Sequence, residues 1–186
     1  MKTVSVPNYE SVSTSNQSLF DNLKKALGFV PNLYATFAHS EKALATYLTL
    51  QNAKSTLSGK EREVINLVVS EVNQCVYCLA AHTAVGKMVG LTEEQILVIR
   101  AGTAPFDVRL DALARFARNV TLQRGHANNQ VLQAFFAAGW AEGNLVDVMV
   151  VIGDKTIANY LHNTTKIPVD FTPAVKLSDV REVVGT

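Results

Sequence analysis

The sequence predicts an all-α fold, and three observations carry that prediction. Apolar residues recur at helical spacing in most segments between residues 17 and 161. No segment alternates polar and apolar residues for long; Val148–Ile152 is apolar but lies inside helical spacing. Start and stop signals punctuate the chain, with capping boxes at Ser58–Glu61 and Thr92–Gln95 and glycine closing most of the periodic runs. The expected architecture is a bundle of about eight helices.

In order, residues 1–15 are polar, carry Pro7 and lack periodicity, so they read as an extended arm free to lie on a neighbour. The folded unit is expected over 16–165 and an irregular tail, broken by Pro168 and Pro173, over 166–186. Gln17 to Leu27 places Leu19, Phe20, Leu23 and Leu27 at helical spacing, and Gly28 suits the C-cap. Pro31 opens a short helix bearing Leu33, Tyr34 and Phe37. Ser40 and Glu41 start the next, with Leu44, Tyr47, Leu48 and Leu50 inward.

The Ser58–Glu61 box starts a helix at Gly59 that runs to about Val72, and Asn73–Gln74, weak helix formers, offer a break. A helix over Cys75 to Val89 follows and ends at Gly90. Thr92 and Gln95 begin another through Arg100, stopped by Gly102. Asp107 to Leu122 is amphipathic, with Leu110, Leu113, Phe116, Ala117 and Val120 inward and Arg109, Arg115 and Arg118 outward. Asn129 to Ala138 closes at Gly139, and Asn144 caps a last long helix reaching about Leu161.

The totals limit the function classes. At 186 residues with 48% apolar and 18% charged residues, the chain can bury a core and is not of disordered composition. A formal net charge of +1, without basic runs interleaved with aromatics, gives no nucleic-acid or anionic-membrane signature. The amino terminus lacks the apolar core of a signal peptide, and no apolar stretch reaches the roughly 18–20 residues of a membrane span. Two cysteines in close order without a secretion signal argue for a reducing compartment, with the cytoplasm as the default, and for a working pair.

That pair lies in E-V-I-N-L-V-V-S-E-V-N-Q-C-V-Y-C-L-A-A-H, residues 63–82. On one helix Cys75, Cys78 and His82, spaced i, i+3, i+7, share a face. Cα atoms three apart on a helix are roughly 5–6 Å apart, within disulfide range, and His82 can move protons near neutral pH. The stripe is therefore a candidate thiol redox site. The first turn of a helix favours Cys75 as the more acidic thiol, whereas His82, one turn beyond Cys78, favours Cys78 as the activated one; spacing leaves open which attacks.

A carboxylate should orient His82, and Glu63 and Glu71 are the candidates. In a continuous helix Glu63 would lie ~18 Å from Cys75. If the chain folds back at Asn73, Glu63 and His82 differ by only ~1.5 Å in axial height. The fold-back makes Glu63 the partner, with Glu71 second. A weaker echo repeats this spacing 84 residues on, pairing Asp147, Asn159 and His162 with Glu63, Cys75 and Cys78, as two similar helical hairpins would. Cys75, Cys78, His82 and a carboxylate could number a zinc site, but three of them come from under two turns of one helix, so no metal is assigned. His39, His126 and His162 read as solvated or structural, Tyr77 as pocket wall or donor, and Trp140 as core or interface.

The pattern E-x11-C-x-x-C-x3-H, with its flanking apolar residues over 57–90, resembles the core of alkylhydroperoxidase D (AhpD)-like proteins of the carboxymuconolactone decarboxylase superfamily. The resemblance implies an all-α homo-oligomer, trimer or hexamer, that reduces organic hydroperoxides without a cofactor. It assigns attack to Cys78, resolution to Cys75 and the proton relay to Glu63 and His82. It also implies an external dithiol reductant, lipoyl or thioredoxin-like. Tyr77 departs from the pattern, since the founding enzymes carry histidine there. The alternatives are a thiol–disulfide oxidoreductase or redox sensor without peroxidase activity, and a non-enzymatic helical assembly protein.

Overall fold

A computed structural model describes residues 3–180; the ends of the arm and tail, residues 1–2 and 181–186, lie outside the described residues. Among those described there are nine α-helices, two short 3-10 turns and no strand.

One helix organises the others: α4, Gly59–Val72, starts at the Ser58–Glu61 capping box and buries eight consecutive residues, Glu63 to Ser70. It packs against α5 (Val76–Met88), α6 (Glu93–Arg100), α7 (Val108–Leu122) and α9 (Glu142–Thr165). A helix surrounded on all sides must be apolar all round, which accounts for the sequence V-I-N-L-V-V. Burying side chains such as Leu67 or Val68 contributes about 1.5–3 kcal/mol each. The main core joins them to Ile99, Leu113, Phe116, Phe135 and Val148. Trp140 closes this core, stacked on Phe135 at 5.4 Å with the Arg109 guanidinium 3.8 Å from its ring centroid. The eighth helix, Asn129–Ala137, covers α7.

Of the amino-terminal helices α1 (Thr14–Leu27), α2 (Asn32–Phe37) and α3 (Ala43–Gln51), α2 and α3 pack against α9 and α1 packs against α3. Here the local signals mislead in three places. Helix α1 begins at Thr14, earlier than the apolar spacing shows, because Ser13 caps it. Helix α3 begins at Ala43, not Ser40, because the backbone N–H groups of His39 and Ser40 close turns on Thr36 and Phe37 and the Ser40 carbonyl accepts from Asn16. The arm lies on its own chain: Val6 packs into the core between α2 and α3, and the Ser5 carbonyl is 2.7 Å from His39 Nε2.

Helix α9 begins at Glu142 and runs to Thr165. Asn144 is not its N-cap; it sits in the first turn and its side chain accepts from the Ala141 N–H at 2.9 Å. The echo Asp147–Asn159–His162 lies wholly on this uninterrupted helix, whereas Glu63, Cys75 and Cys78 straddle a turn. Gly153, the weakest helix former between Asp147 and Asn159, is carried inside α9 without a break, so the shared spacing carries no second fold-back.

That turn ends α4 in a Schellman arrangement: the Cys75 N–H bonds the Ser70 carbonyl at 2.9 Å and the Gln74 N–H bonds that of Glu71 at 3.0 Å. Gln74 takes the left-handed conformation, φ 52°, usually left to glycine. Gln74→Gly should therefore stabilise the protein by about 0.5–1 kcal/mol. A raised urea midpoint at unchanged slope is the expected measurement; a lowered one would place the cost elsewhere.

Candidate active site

The fold-back sets two helices side by side and puts Glu63 against His82: Glu63 Oε2 is 2.7 Å from His82 Nδ1. The other oxygen, Oε1, accepts from Asn66 Nδ2 at 2.8 Å. Burial pushes the Glu63 carboxyl up, but the His82 ring, the hydrogen bonds from His82 and Asn66 and the charge of Lys155 together hold it below the ordinary carboxylate value. Glu71 turns away and pairs with Arg100 Nε at 2.8 Å.

Cys75 does not lie in the first turn of α5 but is its N-cap, and its sulfur accepts from the Cys78 N–H at 3.3 Å. Both cysteines are free and buried. The Cys78 thiol hydrogen-bonds to Cys75, and this interaction, with help from His162 and the Cys78 N–H, brings the Cys75 pKa down to about 5 against the effect of burial. The same S–H···S bond, with burial, drives Cys78 well above the ordinary thiol value, while Lys155 and Asn159 oppose the rise. The pair thus carries one negative charge, resting on Cys75 with the Cys78 proton shared toward it. Thiolate absorbance near 240 nm should persist from neutral pH downward and be lost as pH falls through about 5, with the amplitude of one thiolate. A midpoint near 8–9, that of an ordinary thiol, would contradict the shared-proton arrangement.

Helix α9 straps this turn from behind. Asn159 donates to Ser70 Oγ at 3.2 Å and accepts from Asn73 at 2.9 Å, and Asn163 donates to the Asn73 carbonyl at 2.7 Å. His162, buried in the same layer with its Nδ1 unpartnered, helps lower the Cys75 thiol and lies 5.3 Å from the Tyr77 ring. Tyr77 forms wall: its hydroxyl accepts from the Leu33 N–H at 3.2 Å and its ring meets Phe171 edge-on at 5.5 Å.

A cavity of about 360 Å³ leads from the surface to Cys78; Cys78 and His82 line it and Cys75 does not. Leu27, Phe29 and Met88, all solvent-exposed, form an apolar mouth. Inside stand Tyr34, which donates to Gln51 at 2.6 Å, and Tyr47, stacked on Phe37 at 4.3 Å. Burial raises both phenols, Tyr34 to about 12, so they remain hydrogen-bonding neutral groups. The cavity also holds Lys155, which sequence reasoning missed. Its signal was present: on the inward stripe Val148, Val151, Ile152, Ala158, position 155 is where an apolar residue belongs.

Residues 38–123 match the carboxymuconolactone decarboxylase family model. No curated protein matches the chain. Among solved structures, a peroxidase-related protein of Silicibacter sp. TM1040 is 23% identical over 94% of each chain, with a TM-score of 0.76. An AhpD-core peroxidase-related protein of Ralstonia eutropha JMP134 is 21% identical over 95% of this chain and 96% of its own, at 0.78. The debrominase Bmp8, in complex with 2,3,4-tribromopyrrole, is 14% identical over 91% and 93%, at 0.75. At these identities the likeness is one of fold.

Proposed function

We propose that this is an AhpD-like protein of the carboxymuconolactone decarboxylase superfamily and that it reduces organic hydroperoxides through a Cys75–Cys78 dithiol cycle. The supporting observation is the cavity that opens onto Cys78 while Cys75 stands behind it and the Glu63–His82 pair beside it.

In the reactive step the Cys78 proton passes to Cys75 along the S–H···S bond, leaving the thiolate on the sulfur that faces the cavity. Cys78 attacks the terminal oxygen of the hydroperoxide; the S–O bond forms and the O–O bond breaks. The departing alkoxide takes a proton from His82, which Glu63 holds through Nδ1 so that the other ring nitrogen is free for transfer. Cys78 is then a sulfenic acid. Cys75, still carrying its proton, condenses with it: the disulfide forms and hydroxide leaves with that proton as water. One hydroperoxide yields one alcohol, one water and one disulfide, which an external dithiol reduces by exchange.

Neither sulfur reaches the surface, which weighs against direct exchange with a broad protein disulfide and favours a slender reductant such as a lipoyl arm entering by the apolar mouth. Assembly as a homo-oligomer belongs to the same proposal. Cumene hydroperoxide added to the reduced protein should consume two thiols per peroxide and lower the mass by two hydrogen atoms. Thiols that survive excess hydroperoxide, yet oxidise with a protein disulfide, would transfer the reading to thiol–disulfide exchange.

A further inference from the structure

The cavity that reaches Cys78 contains a cation the cycle above leaves unused. Lys155 sits midway along α9, 2% exposed, and lines the cavity with Cys78 and His82. A lysine so buried is almost always paired, yet none of the six ion pairs among the described residues includes it. The polar groups of α2, α3, α4 and α9 near it do not pair with it. Glu63 of α4 is committed to His82 and Asn66. Asp154, its neighbour on α9, helps raise the Tyr47 phenol of α3 and forms no ion pair with Lys155, its Oδ1 being buried without a partner. Tyr34 of α2 is turned to Gln51, and His162 of α9 acts on Cys75. The charge of Lys155 is felt by Cys78 and Glu63. A buried ammonium over an otherwise mainly apolar cavity, beside the one thiol that faces it, is an electrostatic seat waiting for an anion.

We infer that Lys155 is a further catalytic residue: its ammonium, facing the cavity beside Cys78, holds the oxygen that departs as the Cys78–oxygen bond forms and draws negatively charged reagents to that sulfur. The proposal rests on the hydroperoxide reading for its first half only. As the S–O bond forms, the O–O electron pair moves to the departing alkoxide; Lys155 hydrogen-bonds this oxygen and stays protonated, while His82 delivers the proton. In a water-poor cavity a fixed cation stabilises such developing charge far more than it would in solvent. The second half concerns any anionic electrophile at Cys78, peroxide or not.

The test compares reduced full-length wild type, Lys155→Met, Lys155→Gln and Lys155→Arg in two assays at one pH. The first measures alkylation of Cys78, read by mass, with iodoacetate and with neutral iodoacetamide of nearly the same shape. The iodoacetate-to-iodoacetamide rate ratio should fall about tenfold in the Met and Gln variants and stay near wild type in Arg. The second measures single-turnover oxidation by cumene hydroperoxide, which should fall about 10²-fold in Met and Gln. An unchanged ratio in the neutral variants, or an equal fall in Arg, overturns the anion seat and leaves Lys155 as packing. A lowered ratio with an unchanged oxidation rate overturns its place at the departing oxygen. A wild type inert to hydroperoxide removes the peroxidase reading, while the alkylation ratio still decides the anion seat.

Discussion

Cys78→Ser is expected to lower hydroperoxide consumption by at least about 10³-fold, because it removes the only thiol that lines the cavity. Cys75→Ser should behave differently. Its Cys78 still meets the substrate and is relieved of the neighbouring charge that raises its pKa, so one equivalent of peroxide is consumed. With no resolving thiol the sulfenic acid then accumulates, traps dimedone and over-oxidises to sulfinic acid under excess peroxide. Peroxide-electrode traces and intact mass distinguish one turnover from none. Equal consumption by both single variants and the double variant would remove the dithiol from the chemistry altogether. The contrast is informative because the resting charge lies on Cys75 and the access belongs to Cys78. A scheme built on thiol acidity alone would assign the attack the other way round, and would have Cys75→Ser, not Cys78→Ser, silence the enzyme.

The parts of this site that were legible beforehand are those set by local backbone chemistry. Two weak helix formers after a capped, apolar helix imply a fold-back, and the fold-back brings Glu63 within 2.7 Å of His82 while Glu71 is drawn off to Arg100. The capping boxes at Ser58 and Thr92 start their helices where the sequence places them because both members of each box lie within one turn. What escaped depends on residues far apart in the chain. Nothing near Lys155 announces that Tyr34, Cys78 and His82 will surround its cavity, and a lysine in an apolar stripe reads locally as an ordinary snorkelling side chain. Asn159 and His162 likewise acquire their roles only because α9 crosses behind the α4–α5 turn. Ser40 misled for a related reason: a good capping residue followed by an acid is overruled when its carbonyl is taken by Asn16 from another helix.

Glu63→Gln should separate the relay from the architecture that carries it. Glutamine keeps the shape, and its carbonyl can still accept from His82 Nδ1. Its amide would face the Asn66 amide, but Asn66 Oδ1 is buried without a partner, so a flip of Asn66 supplies the acceptor. Stability at neutral pH should change little, whereas Glu63→Ala would leave His82 and Asn66 unsatisfied and cost about 2–4 kcal/mol. Catalysis should not survive so well, since the charge that holds and polarises His82 is gone; a fall of about 10²-fold or more in hydroperoxide consumption is expected. The acid limb offers a second readout. The Glu63 carboxyl is held below its ordinary value in the folded protein, so its ion stabilises the fold above the unfolded carboxylate pKa of about 4.3, and that contribution is lost as pH falls through the lower folded value. Glu63→Gln lacks this dependence, and its urea midpoint should shift less between pH 7 and pH 3 than that of the wild type. A glutamine variant that turns over hydroperoxide at the wild-type rate would reduce Glu63 to a structural partner of His82, and the proton for the departing alcohol would have to come from elsewhere in the cavity.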